Sequence, residues 1–144
     1  EDMATDKGFV PIHGGTIRHL AQMIMSEDKY AASKALRQAG NARIQSAGGN
    51  QIKTVMSRIW DSNLLDDYDY RWMFSIHDET VHSIGVEHVV EVTKHLHEFM
   101  CEQFLEVVPS ASSIGVGRNF GKLNELGEVF DAGKLRKAVD EIFG

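Results

Sequence analysis

Two adjacent carboxylates, Asp78 and Glu79, follow His77 between two short apolar segments of the chain. Neighbouring carboxylates repel one another unless they are solvated or bound to a cation, and hard oxygen ligands of this kind suit Mg²⁺. An ordinary solvent-facing turn explains the same tripeptide, because Asp is common in turns. The three residues therefore indicate either a divalent-metal site or a plain turn.

A ladder of polar side chains precedes this tripeptide. Arg37, Asn41 and Gln45 are spaced four residues apart, which places them on one face of a helix. Arg and Gln can donate to acceptors on base edges and sugars, and the minor groove offers nearly the same acceptors at every base pair. The ladder thus suits contact with a duplex irrespective of its sequence. The alternative is a solvated helix face, since these residue types are common on surfaces.

The hydrophobic pattern predicts the helices that carry the ladder. Residues 26–45 are expected to form one helix with Ser26 as its cap. Residues 46–50 should end it, because two adjacent glycines inside a helix cost about 2 kcal/mol relative to alanine. A second helix is predicted to follow, with an apolar stripe at helical spacing. That stripe consists of Ile52, Val55, Met56 and Ile59.

Short strands are expected on both sides of the acidic tripeptide. Residues 71–76 and 80–84 are rich in aromatic and β-branched types, which predicts a hairpin with His77, Asp78 and Glu79 at its tip. Another short hairpin is expected over residues 8–20, around a Gly-Gly pair.

The remaining segments complete an α+β fold. A long helix is predicted over residues 86–107, a short strand over 114–117, and a closing helix over 131–143 with Asp131 as its cap. The expected architecture is a small antiparallel sheet with helices packed on one face.

Composition favours a single domain and limits its functions. The chain has 144 residues, of which 42% are hydrophobic and 25% charged, so one core is expected. A net charge of -6 argues against coating nucleic acid by bulk charge.

No apolar run approaches the roughly 18 residues of a membrane span, so no membrane partner is expected. The single Cys101 cannot form an internal disulfide, which favours a reducing, cytoplasmic location.

Three strings of the sequence, taken in order, resemble segments of family A DNA polymerases, the bacterial and phage type. Residues 37–53 resemble the segment in which Arg, Asn and Gln precede a helix with an Ile-Lys pair. Residues 73–81, Met-Phe-Ser-Ile-His-Asp-Glu-Thr-Val, resemble motif C, the metal-binding hairpin of the palm. Residues 114–120 are similar to the closing strand with its Gly-x-Gly-x-Asn-aromatic pattern. Gly14 to Leu20 matches the hairpin between fingers and palm more loosely.

The resemblance covers about residues 8–123 and implies the carboxy-terminal part of a polymerase palm. On this basis residues 1–25 are a hairpin or linker region from the fingers, 26–123 the palm core, and 124–144 a helical extension. The extension has no counterpart in the family pattern, and Arg43 stands where a small residue or proline is expected. These departures suggest a divergent, phage-type member.

By resemblance, the activity is template-directed nucleotidyl transfer by two Mg²⁺ ions. Asp78 would bridge the metals, and Glu79 would be an auxiliary ligand or act through water. His77 would hold the primer's terminal phosphate or the geometry of the hairpin. Arg37, Asn41 and Gln45 would contact primer-template DNA through the minor groove, whereas Lys53 and Arg71 are weaker candidates for backbone contacts.

The sequence has no match to motif A, which carries the family's other catalytic aspartate, or to the fingers helix that grips deoxynucleoside triphosphates. The two-ion site would therefore need a carboxylate outside this chain, from a remaining polymerase polypeptide. The chain is expected to be a fragment or one part of a split polymerase, inactive by itself, and its first residue, Glu1, fits trimming.

The same sequence also admits other functions. A palm-derived module without catalytic activity, which binds a partner protein or nucleic acid, is the main alternative, and an unrelated α+β protein with a chance hairpin is another. Gly115-x-Gly117 lacks the spacing and strand-loop-helix frame of a dinucleotide loop. His95 and His97 point apart on a helix, which disfavours a zinc site.

Overall fold

The computed structural model describes residues 6–12, 15–102 and 109–144. Contacts within the chain divide it into two compact units, Glu1–Lys53 and Thr54–Gly144. In the described ranges, no helix has the length and apolar character needed to cross a membrane. The elements in chain order are β1 (Phe9–Pro11), β2 (Ile17–His19), α1 (Ala21–Ile24), α2 (Lys29–Asp61), α3 (Leu64–Asp67), β3 (Tyr70–Ile76), β4 (Glu79–Ile84), α4 (Val89–Cys101), β5 (Ile114–Asn119), β6 (Lys122–Gly127) and α5 (Ala132–Phe143).

The first unit contains the amino-terminal hairpin that the sequence predicts. Strands β1 and β2 pair antiparallel, with Val10 opposite Arg18. Val10 and Leu20 are buried together with Ala39 of α2, which forms a small apolar cluster. His13 and Gly14 of the expected turn lie outside the described residues.

Helix α2 is one continuous helix of 33 residues, so the predicted break at residues 46–50 is wrong. Gly48 and Gly49 are exposed, and a Cβ built on either would meet nothing within 4 Å. The glycines carry an intrinsic penalty, but helix propensity is a weak preference that tertiary packing overrides. Ala42 and Ile52, which are buried on either side of the glycines, supply such packing.

The start of α2 also differs from the prediction. The helix begins at Lys29 rather than near Ser26, because Asp28 caps it: its Oδ1 accepts a hydrogen bond from the backbone N of Tyr30 at 2.8 Å. The hydroxyl of Ser26 instead accepts from the backbone N of Asp28 at 3.2 Å.

The second unit is built around the hairpin β3–β4 and helix α4. Its core joins the end of α2, strand β3 and α4, and consists of Val55, Ile59, Tyr70, Val92 and Leu96. Met56, expected in the apolar stripe, is 41% exposed. Helix α4 begins at Val89, later than predicted, because the preceding residues form a turn in which His88 N donates to Gly85 O at 2.9 Å. The predicted end of this helix falls partly on residues 103–108, which lie outside the described residues.

The carboxy-terminal part combines a hairpin and a helix. The predicted strand is β5, and it pairs antiparallel with β6, a strand that the sequence did not predict. Lys, Asn and Glu are depleted in strands, which explains the omission. Gly117 is required here, since an added Cβ would meet the carbonyl oxygen of Lys122 on the paired strand. Helix α5 confirms the last predicted helix, and Asp131 Oδ1 accepts from Lys134 N at 2.9 Å as its cap.

The structure confirms the α+β class with antiparallel pairing. In the described part of the chain the strands form three separate two-stranded sheets, β1–β2, β3–β4 and β5–β6. Each is a hairpin of neighbouring strands, so each needs only a local turn to form.

Candidate functional site

The acidic tripeptide occupies the tip of the β3–β4 hairpin. Ile76 pairs with Glu79, so His77 and Asp78 form a two-residue turn between the strands. His77 has a φ of 53°, in the left-handed region that two-residue hairpin turns use. The side chains of His77, Asp78 and Glu79 are all exposed. The turn therefore presents two carboxylates and an imidazole to solvent at the end of the hairpin.

A β-bulge lies halfway along this hairpin. The pairing register shifts between Trp72, which faces His82, and Phe74, which faces Val81. A bulge bends the strand and increases its twist, and it re-aims the side chains beyond it. Past the bulge, Phe74 and Ile76 are 39% and 41% exposed, while Tyr70 before it is buried. The inner half of the hairpin is thus a packed base, and the outer half projects with the acidic turn.

Aromatic contacts hold the base of the hairpin. Tyr70 stacks on His82 with ring centroids 5.5 Å apart, and Trp72 meets His82 edge-on at 4.8 Å. The Tyr70 hydroxyl lies 2.9 Å from Nδ1 of His82. His82 Nε2 is buried and has no hydrogen-bond partner among the described residues.

Burial also changes how these two residues titrate. Loss of hydration disfavours the imidazolium and lowers the pKa of His82 to about 4. It likewise raises the pKa of Tyr70 well above its usual range. Both groups are therefore neutral at physiological pH, and they support the hairpin rather than exchange protons with solvent.

The donor set at the turn fits part of a Mg²⁺ site. Asp78 and Glu79 supply hard oxygen ligands, and Mg²⁺ in proteins often keeps waters and substrate oxygens beside one or two carboxylates. Across residues 6–12, 15–102 and 109–144, no group of three His, Cys, Asp or Glu side chains is placed to hold an ion. The two carboxylates alone would bind Mg²⁺ weakly. Further ligands, besides those of the turn, would be needed to complete a coordination shell.

Arg71 lies on the same hairpin but away from the turn. It pairs with Ser83 at the opposite end of the strands, about 20 Å from Asp78 at the rise of an extended chain. Its exposed side chain is therefore separate from the acidic turn.

The predicted ladder lies on helix α2. Arg37, Asn41 and Gln45 are all exposed, and their spacing keeps them on one face. Nη1 of Arg37 donates to Ser33 Oγ at 3.1 Å, one turn earlier on the same helix. Lys53 is exposed on the same helix but lies about 160° around the axis from Arg37, at 100° per residue. The helix therefore groups three of its four predicted contact residues.

The structure adds one contact near the turn that sequence reasoning missed. The ring of Phe120, in the turn between β5 and β6, meets Phe74 edge-on with centroids 5.5 Å apart. Phe74 lies within residues 73–81 and Phe120 within 114–120, and no local sequence pattern indicates that the two rings touch. The two hairpins of the second unit are thus joined close to the acidic turn.

The chain matches a known protein family. A family model described as DNA polymerase family A matches residues 1–122. No curated protein matches the chain. The matched residues include both the ladder on α2 and the acidic turn, and they end before most of β6 and all of α5.

Proposed function

The chain belongs to DNA polymerase family A, and on that premise we propose that it supplies the motif C hairpin and primer-template contacts of a polymerase palm. The reaction is addition of a deoxynucleotide to a primer end, directed by a template. The observation that carries the proposal is the exposed carboxylate pair at the tip of a hairpin with a buried aromatic base.

In this proposal each residue of the turn has a distinct role. Asp78 would be a metal-holding carboxylate, and Glu79 would be an auxiliary ligand or act through water. Two Mg²⁺ ions, when bound, would activate the primer 3′ oxygen and stabilise the charge of the leaving pyrophosphate. His77, beside them in the turn, is a donor for the primer's terminal phosphate. Catalytic groups need placement to within a fraction of an ångström, and the packed base of the hairpin restrains the position of these three residues.

Helix α2 supplies the duplex contacts. Arg37, Asn41 and Gln45 donate to minor-groove acceptors, which are nearly alike for every base pair, so binding does not depend on sequence. Gly48 lies on the same face as this ladder and is exposed, so the groove can approach the helix backbone closely. Lys53 lies on another side of α2, and Arg71 lies at the opposite end of its hairpin from the acidic turn. Both are weaker candidates, limited to contacts with DNA phosphates.

The proposed site needs groups from outside this chain. A carboxylate from motif A completes the metal ligands, and a fingers segment grips the incoming deoxynucleoside triphosphate. Both come from a remaining polymerase polypeptide, of phage type if the departures from the family pattern reflect its origin. The chain alone then has the duplex contacts and one side of the metal site, and it does not catalyse nucleotide addition.

Primer extension tests this proposal. The purified chain is assayed with primer-template, Mg²⁺ and all four nucleotides, first alone and then with the polypeptide that carries motif A and the fingers. Extension is expected only in the second case. Extension by the chain alone that survives Asp78→Ala would contradict the proposal, and failure of every combination would favour a non-catalytic palm-derived module.

A further inference from the structure

We infer that helix α5, beyond the family match, positions the acidic turn of β3–β4 through Arg118 and Phe120 of the β5–β6 hairpin. The contacts form a continuous path from the end of α5 to the outer half of the β3–β4 hairpin. Only the expected effect on nucleotide addition rests on the proposed function, because it requires that Asp78 act in catalysis.

The first contact joins strand β5 to the carboxy-terminal end of α5. Nε and Nη2 of Arg118 both donate to the carbonyl oxygen of Ile142, at 2.9 and 2.6 Å. The guanidinium also lies over the ring of Phe143, 4.9 Å from its centroid. Carbonyls in the last turn of a helix have no partner within the helix and carry partial negative charge, so a cation there is stabilising. Arg118 therefore fixes the end of α5 to β5.

The other end of α5 is fixed as well. Nζ of Lys134 donates to the carbonyl of Leu126, at the end of β6, at 2.5 Å. His97 on α4 contacts the carbonyl of Glu128 through Nε2 at 2.9 Å, which ties the segment between β6 and α5 to a second helix. Between these ends, Leu135 and Val139 are buried. Contacts at both ends of α5 therefore hold the β5–β6 hairpin against this helix.

The last contact joins the β5–β6 hairpin to the β3–β4 hairpin. The Phe120 ring meets Phe74 edge-on at 5.5 Å, a favourable geometry for an aromatic pair. Phe74 lies two residues before Ile76, which pairs with Glu79. Residues 74–79 are all exposed, so this segment has little other packing to restrain it. The ring contact therefore limits bending of the outer hairpin beyond the bulge.

Hydrogen exchange of the full chain tests this inference without any requirement for activity. Phe120→Ala and Arg118→Ala are expected to speed amide exchange at residues 76–80 by about fivefold, as the ring contact or its support is lost. Phe120→Tyr keeps the ring and should exchange like the wild type. Arg136→Ala is the matched control, because Arg136 is an exposed arginine on α5. If Phe120→Ala does not fold, Phe120→Leu replaces it, since leucine keeps apolar volume but has no ring.

The intact polymerase that contains this chain provides the second readout. Phe120→Ala should lower kcat for nucleotide addition by about tenfold while the Kd for primer-template stays unchanged, because misplacement affects chemistry and not duplex binding. Phe120→Tyr should restore kcat. Unchanged exchange at residues 76–80 in either alanine variant, or an equal change in Arg136→Ala, overturns the inference. A wild-type polymerase without activity overturns the proposed function instead, and the exchange data still decide the positioning role.

Discussion

The hydroxyl of Tyr70 lies 2.9 Å from Nδ1 of His82, across the inner half of the hairpin that ends in the acidic turn. The pair is packed against the core of the second unit, where Tyr70 contacts the apolar cluster of α2 and α4. Because Tyr70 is buried and the half-buried imidazole of His82 is neutral, the stability of the hairpin base depends on pH.

Acidification should destabilise the chain through His82. The pKa of His82 is about 4 in the folded chain and about 6.5 when unfolded, so the unfolded chain binds the proton more tightly. Above pH 6.5 His82 is neutral in both states and has no effect on the free energy of unfolding. As the pH falls to 4, protonation of the unfolded chain lowers the free energy of unfolding by about 2 to 3 kcal/mol.

The double variant Tyr70→Phe/His82→Phe, which leaves no orphaned hydroxyl, should show a correspondingly smaller difference in unfolding free energy between pH 7 and 4.5. Urea denaturation at both pH values measures it. His77→Asn, in the exposed turn of the same hairpin, is the control and should keep the wild-type difference. An undiminished difference in the double variant would rule out His82 as its source.

Asp78→Asn should separate activity from stability. The amide keeps the shape of the turn but removes an anionic ligand, so turnover of the assembled polymerase should fall about a thousandfold or more at saturating Mg²⁺. Thermal stability of the chain should stay unchanged or rise, because the repulsion with Glu79 is removed and turns tolerate Asn. Activity within about tenfold of wild type would mean that the hairpin is only a turn.

Arg37→Ala should weaken primer-template binding by about 1 kcal/mol, or roughly fivefold in Kd, and by the same factor for every duplex sequence. Arg43→Ala is the matched control, because Arg43 is exposed on the same helix but lies about 120° from Arg37 around its axis. Fluorescence anisotropy with duplexes of different primer-end sequence measures both variants. A loss confined to certain base pairs would indicate sequence-specific recognition.

Two glycine substitutions should change stability in opposite directions. Gly48→Ala places a methyl group where nothing lies within 4 Å, so the free energy of unfolding should rise by about 1 kcal/mol. Gly117→Ala places one against the carbonyl of Lys122 on the paired strand, which should cost about 2 kcal/mol or more. Urea denaturation of both variants is the measurement. Destabilisation by Gly48→Ala would show that this glycine has a structural role in the free chain.

Much of the fold follows from local pattern. Two β-rich segments around a polar turn predict the hairpin over residues 71–84, and apolar spacing with the cap at Asp131 predicts α5; the structure confirms both. Interactions within a few residues decide these features, so a short stretch of sequence contains the information. The ladder on α2 was predictable for the same reason, since helical periodicity alone places its three side chains on one face.

Two errors show where local pattern fails. The glycine pair Gly48–Gly49 predicts a helix end, yet α2 continues through it. The packing of flanking residues outweighs the low helix propensity of glycine. Strand β6 was not predicted, because its polar residues favour no strand on their own. Pairing with β5, where Gly117 allows close approach of the backbones, determines its conformation.

The sequence by itself determined the family, the hairpin around the acidic turn and the carboxylate pair in that turn, since each is encoded in neighbouring residues. Only the tertiary structure decided what supports that turn. Tyr70 meets His82 across 12 residues, and Arg118 reaches Ile142 across 24. Phe74 and Phe120 lie still further apart along the chain. Such contacts depend on how separate elements pack, and packing depends on the shape and burial of many side chains at once, which no local spacing records.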